Sequence, residues 1–524
     1  MPVGYAAVKT LFRNVRVLTM NPAGTEYERA CVHIDDGVIS AIEAQPGAAG
    51  TAIAGASSSA ITGAGAVREI DGSGHLLMPG LINAHFHSST NHLKGSLDSL
   101  PLEVFMLFES PSRAAASEPR AIYVRTMLGA LEMLRSGVTT VLDDAFFVPA
   151  PSPDQIDAVM QAYADSGMRA VLGLDQPNVP ELEKLPFLDR LLPDELRARA
   201  AAAAPMDGRR LLECYQHLIR SWHGREAGRL RAAVSCSAPQ RVTRAYFRAL
   251  DELSRQYQLP FYMHVLETKL QRVLGEERFG GRSLLRYVHD EGLLSERLNI
   301  IHGIWLDDAD MDLIAGAGAV IAHNPISNLR LGSGVMPFRK LRSRGIPICL
   351  GSDEAITDDA VNMWAVAKLT GLIHNITTVD YELWPKAGEV LECLFRGGAQ
   401  AARSPLPIGQ VSVGYQADLI LLDLDTLAFT PVNDLRRQLL YCESGSSVRL
   451  TMVAGRVLYE HGVVTSVNEA ALRREARELA VRRASMQAAE QMTAREWLPY
   501  YREMYLLAAG RDVGLRRRIG DIDR

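Results

Sequence analysis

The sequence predicts an α/β protein in which a parallel (β/α)8 barrel of the TIM type carries a small β-sandwich built from both chain ends. Within residues 80–404, short apolar strands alternate with helical segments, which is the pattern of a parallel barrel. On either side of this region, short strands are separated by turn residues. The chain has 524 residues, which is enough for more than one structural unit.

These patterns divide the chain into four segments. Residues 1–79 and 405–465 are expected to form the two parts of the β-sandwich, and residues 80–404 to form the barrel. Residues 466–524 are expected to form a helical C-terminal extension. Mixed charge at helical spacing in that extension is typical of a solvated face, so we interpret it as a packing or subunit-contact element.

The chain begins with short β-type segments. Arg16–Met20, Ala30–Ile34 and Val38–Ile42 are separated by turn residues such as Asn21 and Pro22. Residues 47–66 are rich in Ala, Gly, Ser and Thr, and such a composition cannot build a core. We therefore expect an exposed loop between the first strands and the barrel.

Eight strands, separated by helical segments, can be counted in the barrel region. A helical excursion at residues 180–224 interrupts the alternation, and its charged, Ala-rich composition suits a surface lobe or lid. The predicted barrel strands are the one that ends in His85 and His87, followed by Val138–Leu142, Arg169–Leu174, Leu230–Ser235, Pro260–Val265, Leu298–Ile301, Ala319–Ala322 and Ile346–Leu350. Short strands resume after the barrel at Ala417–Asp423, Val448–Val453 and Arg456–Tyr459.

Composition excludes several classes of partner. A net charge of −5 and a pI near 6.3 give no reason to expect nucleic acid or an anionic membrane surface. We see no apolar run long enough to span a bilayer and no secretion signal. The six cysteines form no CxxC pair, which indicates a reducing, cytoplasmic setting and argues against a thiolate zinc site. Any metal must therefore be held by histidine and carboxylate.

One pair of histidines suggests such a metal site. His85 and His87 end an apolar strand and are separated by one residue, so their side chains point to the same face. Two neutral imidazoles on one face can share a divalent ion. An isolated HxH pair can equally be two surface histidines near a turn.

Other polar residues follow the apolar strands of the same alternating series. His264 ends the segment PFYMH, Glu267 lies three residues beyond it, His302 closes NIIH, and Asp353 follows IPICLGS. The reacting groups of a barrel sit at the C-terminal ends of its strands. Each residue alone could be a packed core histidine or a helix N-cap. Together they predict one catalytic site, with Glu267 leaning back over the barrel mouth.

The ordered set of motifs MPGLINAHFHS, HVLE, IIHG, HNPISN and GSDE resembles the amidohydrolase superfamily. The resemblance is to the branch of cytosine, guanine and S-adenosylhomocysteine deaminases and s-triazine hydrolases, and it covers roughly residues 8–465. It implies one zinc or iron ion held by His85, His87, His264 and Asp353. It also implies catalytic acid/base and polarising roles for Glu267, His302 and Asp353.

The resemblance also bears on the number of metal ions and on the substrate pocket. Two-metal relatives use a lysine at the end of the fourth strand, but here that strand reads LRAAVSCSAPQ, which favours a single ion. The HNPISN segment implies His323, Asn324 and Asn328 as substrate-binding residues, although Asn324 could simply shape the turn around Pro325. The loop after the HxH pair carries Phe105 and resembles the lid-like segment of the family, in which many relatives have a tryptophan.

These inferences predict a metal-dependent hydrolase that deaminates an amino-substituted N-heteroaromatic compound such as a triazine, pterin, purine or pyrimidine. Removal of a similar leaving group would use the same chemistry. Two alternatives stay open, namely hydrolytic ring opening of a cyclic amide and a non-catalytic scaffold of the superfamily. The expected partner is a small heterocyclic substrate, and we expect a homo-oligomer, either a dimer or a tetramer.

Overall fold

The computed structural model describes residues 9–45, 67–109, 116–202 and 206–518. The predicted exposed loop at residues 47–66 lies outside these ranges. Among the helices within the described ranges, none is long and apolar enough to cross a membrane.

The strands follow one another along the whole described chain. They are β1 (Lys9–Leu18), β2 (Glu26–Asp35), β3 (Val38–Ala44), β4 (Val67–Asp71), β5 (His75–Pro79), β6 (Leu81–His87), β7 (Val138–Ala145), β8 (Arg169–Leu174), β9 (Leu230–Ala232), β10 (Val234–Ser235), β11 (Phe261–Val265), β12 (Leu298–His302), β13 (Val320–His323), β14 (Ile348–Leu350), β15 (Asp353–Glu354), β16 (Leu419–Asp423), β17 (Val448–Val453), β18 (Arg456–Glu460) and β19 (Val463–Val464).

Helices separate most of the strands between β6 and β16, one more lies between β16 and β17, and the last follows β19. They are α1 (Leu102–Glu109), α2 (Pro119–Arg135), α3 (Pro153–Ser166), α4 (Glu181–Lys184), α5 (Leu188–Leu191), α6 (Asp194–Ala202), α7 (Gly208–Trp222), α8 (Arg225–Gly228), α9 (Arg244–Tyr257), α10 (Lys269–Arg278), α11 (Leu284–Asp290), α12 (Asp308–Ala317), α13 (Pro325–Arg330), α14 (Phe338–Ser343), α15 (Ala355–Asp358), α16 (Met363–Ile373), α17 (Ala387–Glu392), α18 (Gly398–Ala402), α19 (Leu435–Tyr441) and α20 (Glu469–Ala509).

Strands from the two chain ends pair in one nine-stranded sheet of order β19-β18-β17-β16-β5-β1-β2-β3, with β4 paired to β1. The two ends meet where β5 runs antiparallel to β16 and Leu77 lies opposite Leu421. Side chains alternate between the two faces of a strand. Leu77 and Leu421 accordingly pack in a cluster formed by the terminal strands themselves, whereas Leu76 and Ile420 pack in the main core with the barrel helices.

The central strands form two parallel five-stranded sheets, of order β15-β6-β7-β8-β9 and β10-β11-β12-β13-β14. Only Ala233 separates β9 from β10, and Gly351 and Ser352 separate β14 from β15. Because all the pairings within these two sheets are parallel, the C-terminal ends of the strands face the same side. This is the side on which the predicted catalytic residues lie.

The C-terminal extension contains one long helix. Helix α20 continues through Pro499 and has 41 residues. Its buried residues include Ala494, Trp497, Tyr501 and Met504, whose spacing of three and four residues keeps them in one stripe on one helical face. Pro499 itself is exposed, away from that stripe.

A buried ion pair joins the parallel strands to the terminal sheet. Arg169 Nε, at the start of β8, lies 2.8 Å from Asp418 Oδ2, and both side chains are at most 3% exposed. The variant Arg169→Met should lower the free energy of unfolding by about 3–5 kcal/mol, because it leaves a buried carboxylate without its partner. Urea denaturation followed by circular dichroism measures this loss.

The matched control is Arg449→Ala. Arg449 pairs with Asp423 at 2.7 Å, but 41% of its side chain is exposed, so we expect a loss below about 1 kcal/mol. Equal losses for the two variants would contradict the role assigned to the buried pair.

Candidate metal centre and active site

The first three metal-ligand candidates come together at the junction of β6 and β15. His85 and His87 lie on one face of β6, and β15 pairs with β6 so that Asp353 lies opposite Phe86. Asp353 Oδ1 is 3.3 Å from His85 Nε2 and 3.5 Å from His87 Nε2. The predicted HxH pair is therefore buried beside a carboxylate rather than on the surface.

The fourth candidate comes from β11. The ring of His264 is 5.0 Å from that of His85 and 5.4 Å from that of His87, measured between centroids. His264 Nδ1–H donates a hydrogen bond of 2.8 Å to the carbonyl of Ser237, and His87 Nδ1–H donates to the carbonyl of Asp144. A carbonyl can only accept, so each ring keeps its Nε2 lone pair for another partner.

This set of side chains fits a divalent metal ion. The ligand atoms of His85, His87 and Asp353 lie within 4.8 Å of one another. His85 Nε2 is buried and forms no hydrogen bond with any described residue, although such atoms are normally paired. Imidazole nitrogens and a carboxylate oxygen are ligands that zinc and related ions accept.

Burial also sets the charge of these groups. It lowers the pKa of His85 to about 4 and lowers the pKa of His264 well below its usual value, so both imidazoles are neutral near pH 7. Burial alone would raise the pKa of Asp353, but the adjacent imidazoles, His85 foremost, hold that pKa well below its usual range. Neutral imidazoles beside an ionised carboxylate are in the protonation states that metal ligation requires.

Two further polar groups lie next to the cluster. His302 Nε2 is 3.4 Å from Glu267 Oε2 and 3.8 Å from Asp353 Oδ2. Burial, with added repulsion from the Asp353 and Glu103 carboxylates, raises the pKa of Glu267 well above its usual value. Glu267 therefore holds a proton that it can donate to a substrate atom.

The backbone explains how Glu267 reaches the mouth although it is three residues beyond His264. Leu266 adopts a φ of 51°, in the left-handed region, and this turns the chain at the end of β11. His302 and Asp353 have φ values of 70° and 62°. Such conformations are uncommon for residues other than glycine and concentrate at functional sites.

These residues lie at the wall of one cavity of about 390 Å³, with His87, His264, Glu267, His302 and Asp353 in its lining. This volume is in the range of small-molecule sites. Phe105 also lines the cavity, as expected for the lid-like loop.

The three residues expected to bind substrate occupy a different position. His323, Asn324 and Asn328 are not among the described residues that line the cavity. Asn328 Oδ1 accepts a hydrogen bond of 2.9 Å from His302 Nδ1–H, and Asn324 Nδ2 lies 3.3 Å from the same nitrogen. His323 Nε2 is 3.2 Å from His374 Nε2. Asn328 thus orients His302, whereas Asn324 Nδ2 is a donor that faces an N–H already used in donation and forms no hydrogen bond with it in this tautomer. Direct contact of all three residues with substrate stays a prediction.

Sequence reasoning did not find several residues of the cavity wall. Asp175 and Arg241 follow strands β8 and β10, and Trp497 and Tyr501 come from helix α20; all four line the cavity. The position of the first two just after strands was an available signal. The buried stripe of α20 gave no such signal, because an amphipathic helix has the same pattern whether it packs on a core or lines a cavity.

Comparison with known proteins identifies the family to which the chain belongs. The sequence profile of the amidohydrolase family matches residues 76–458. A 5-methylthioadenosine/S-adenosylhomocysteine deaminase of Nitratidesulfovibrio vulgaris is 31% identical over 466 residues, which cover 87% of this chain and 97% of that protein. A 5′-deoxyadenosine deaminase of Methanosarcina mazei is 28% identical over 485 residues, 93% of this chain and 98% of that protein.

Two solved structures resemble the fold. An adenosine deaminase from Xanthomonas campestris with bound zinc has a TM-score of 0.76 and 25% identity, covering 91% of this chain and 99% of that chain. Atrazine chlorohydrolase from Arthrobacter aurescens, complexed with zinc, has a TM-score of 0.78 and 24% identity, covering 90% of this chain and 99% of that chain. The second likeness concerns the fold alone.

The fold and the site together define a metal-binding hydrolase on a TIM-barrel-like α/β scaffold. The chain belongs to the amidohydrolase family, and it acts on carbon–nitrogen bonds other than peptide bonds. The family resemblance predicted from the motifs is confirmed.

The ligand set can be tested by metal content. We expect His264→Ala to weaken metal binding by more than the 10- to 100-fold that follows when a ligand loses its hydrogen-bond support, because here a ligand itself is removed. Elemental analysis of the purified protein measures the stoichiometry. His217→Ala is the control, because His217 is not in the ligand set. Its Nε2 lies 2.7 Å from Asp157 Oδ1, and part of its side chain is exposed. Full metal occupancy in His264→Ala would refute the assignment.

Proposed function

We propose that this protein hydrolytically deaminates the adenine ring of an adenosine-type nucleoside. The observation that carries the proposal is the convergence of Glu267 and His302 on the cluster of His85, His87, His264 and Asp353, at the wall of a cavity of small-molecule size. The deaminases of adenosine-derived purines among the relatives supply the substrate class. The oxygen of water would become a carbonyl oxygen on the ring carbon that carried the amino group, and the amino group would leave as ammonia.

In this proposal His85, His87, His264 and Asp353 hold one divalent ion, either zinc or iron. Such an ion supplies a bound water whose pKa is lowered towards about 7. The set contains three imidazoles and one carboxylate, and these four side chains would hold the ion that supplies this water.

The remaining roles fall to side chains beside the cluster. Glu267, protonated because it is buried, donates its proton to the ring nitrogen next to the carbon under attack. Asp353 Oδ2 accepts the proton that the attacking water loses and passes it to the amino group, which leaves as ammonia. As the carbonyl forms, the Glu267 carboxylate takes back the proton of the new hydroxyl group. His302 presents Nε2 towards the same place, because its Nδ1–H donates to Asn328, so Nε2 accepts a hydrogen bond from the attacking water and orients it.

The closure of the two parallel sheets into a barrel is part of the same proposal. We infer that the two parallel sheets form one (β/α)8 barrel, because β9 continues into β10 across Ala233 and β14 into β15 across Gly351 and Ser352. The unit boundaries at residues 79, 404 and 465, the cytoplasmic setting and the homo-oligomeric state stay predictions.

A substrate panel tests the proposal. Ammonia release should be measured with adenosine, 5′-deoxyadenosine and 5′-methylthioadenosine, and with guanine, cytosine and an aminotriazine as competing heterocycles. We expect the adenosine-type nucleosides to be deaminated with kcat/KM in the usual enzymatic range, about 10⁴–10⁸ M⁻¹s⁻¹. A preference for the triazine or for cytosine would overturn the proposal. Opening of a cyclic amide without ammonia would support the ring-opening alternative instead.

The role of Glu267 is tested by Glu267→Gln. This variant keeps the shape of the side chain but cannot supply a carboxylic proton, so we expect kcat to fall by about 10²–10⁴-fold. Metal content should stay at the level of the unmodified protein, because Glu267 is not in the ligand set. Near-normal turnover, or a parallel loss of metal, would contradict the assignment.

A further inference from the structure

Helix α20 contributes to the cavity although it lies outside the residues that the family profile matches. The profile match ends at residue 458, and α20 begins at Glu469. Nevertheless Ala494, Trp497 and Tyr501 of this helix line the same cavity as the catalytic groups. A segment beyond the profile match therefore helps to shape the site.

Side-chain contacts hold α20 in place over the mouth. Trp497 and Tyr501 pack in one apolar cluster with Leu188 of α5 and with Leu270 and Val273 of α10. Both aromatic side chains are buried, at 8% and 4% exposure. The helix is therefore a fixed wall of the cavity.

Polar contacts reinforce this arrangement. The Tyr501 hydroxyl donates to Glu181 Oε1 at 3.2 Å, and Lys269 Nζ donates to the carbonyl of Ala509 at 2.9 Å. Beyond the helix, the Arg517 guanidinium donates to the carbonyls of Ile304 and Leu306 at 2.8 and 2.7 Å. These bonds tie α20 and the chain that follows it to the loops at the C-terminal ends of the strands.

The wall around Trp497 is apolar. Leu185, Leu270 and Leu274 are part of the lining. Two cations of the lining have carboxylate partners, because Lys184 pairs with Glu181 at 2.9 Å and Arg199 pairs with Glu496 at 2.8 Å. Arg241, the third cationic side chain of the described lining, donates to Ser237 Oγ at 3.4 Å and to Met106 Sδ at 2.7 Å. An anionic group placed against the apolar side chains around Trp497 would lose its hydration against side chains that offer it no charge.

We propose that Trp497 is a specificity-determining residue that contacts the 5′ substituent of the nucleoside and favours an uncharged, apolar substituent over an anionic one. The inference rests on the proposed function, because the adenine ring must lie against Glu267 and the histidines for the reaction. The ribose and its 5′ substituent then extend along the cavity towards the remaining walls, of which α20 forms part.

The test compares 5′-methylthioadenosine, adenosine and adenosine 5′-monophosphate as substrates of the metal-loaded protein and of Trp497→Ala. In the unmodified protein, kcat/KM should be highest for the methylthio compound and lowest for the monophosphate. In Trp497→Ala, the ratio of kcat/KM for the methylthio compound to that for adenosine should fall about tenfold, which is typical of a lost apolar contact in a pocket. The fall should appear mainly in KM, since no catalytic group is changed.

Three further variants complete the comparison. Tyr500→Ala removes an aromatic side chain from the same helix and the same apolar cluster, but Tyr500 is not among the described residues that line the cavity. It should leave the substrate ratio unchanged. Trp497→Phe should restore much of the ratio. Trp497→Gln replaces the indole with a polar side chain and should lower the ratio, so it carries the comparison if Trp497→Ala does not fold.

The outcomes separate this inference from the proposed function. If the unmodified protein releases no ammonia from any of the three substrates, the proposed function fails and the inference fails with it. If it deaminates them but Trp497→Ala, or Trp497→Gln where Trp497→Ala does not fold, keeps the original ratio, the inference alone is overturned. Preferential turnover of the monophosphate by the unmodified protein would also overturn it.

Discussion

The site depends on the pairing of the last central strand with the first. β15 contributes two residues, and its register places Asp353 opposite Phe86, so the carboxylate lies beside the two imidazoles that flank Phe86. A shift of one residue would turn the carboxylate to the other face. The pairing also needs the segment before β15 to lie close to its neighbours at Gly351. A Cβ atom at this position would meet Asn324 Oδ1 at 2.5 Å and the His85 carbonyl oxygen at 2.8 Å.

Burial of so many polar groups is unfavourable unless each one finds a partner. Several of them do, because His264 donates to the Ser237 carbonyl and His302 donates to Asn328. His85 Nε2 lacks such a partner among the described residues. The fold thus leaves a buried nitrogen without a hydrogen bond where the other candidate ligand atoms meet, and a bound cation would satisfy it. Stability and metal binding are therefore coupled at this point.

Catalytic chemistry and substrate selection are assigned to different parts of the chain. The proposed metal ligands and Glu267 all lie within residues 76–458, which match the family profile. The cavity is then completed by segments that contribute no metal ligand, namely the helical excursion around Lys184 and Arg199 and the C-terminal helix with Trp497. Such a division allows the outer walls to vary in shape while the ligand geometry at the strand ends is kept.

The sequence by itself determined the strand series and the polar residues that lie at the strand ends. Each of His85, His87, His264, His302 and Asp353 ends or follows an apolar strand, and the common direction of parallel strands brings such residues together. It could not determine the role of Asn328, because the same HNPISN segment serves equally as a turn or as a pocket wall until its neighbour His302 is placed.

Tertiary structure alone decided what α20 does. Its stripe of Ala494, Trp497 and Tyr501 specifies a buried helical face, but periodicity does not say whether a core or a cavity covers that face. The packing of the helix against α5 and α10 at the mouth of the site settled this question. The physical reason is that local pattern fixes which residues are buried, whereas long-range packing fixes what they are buried against.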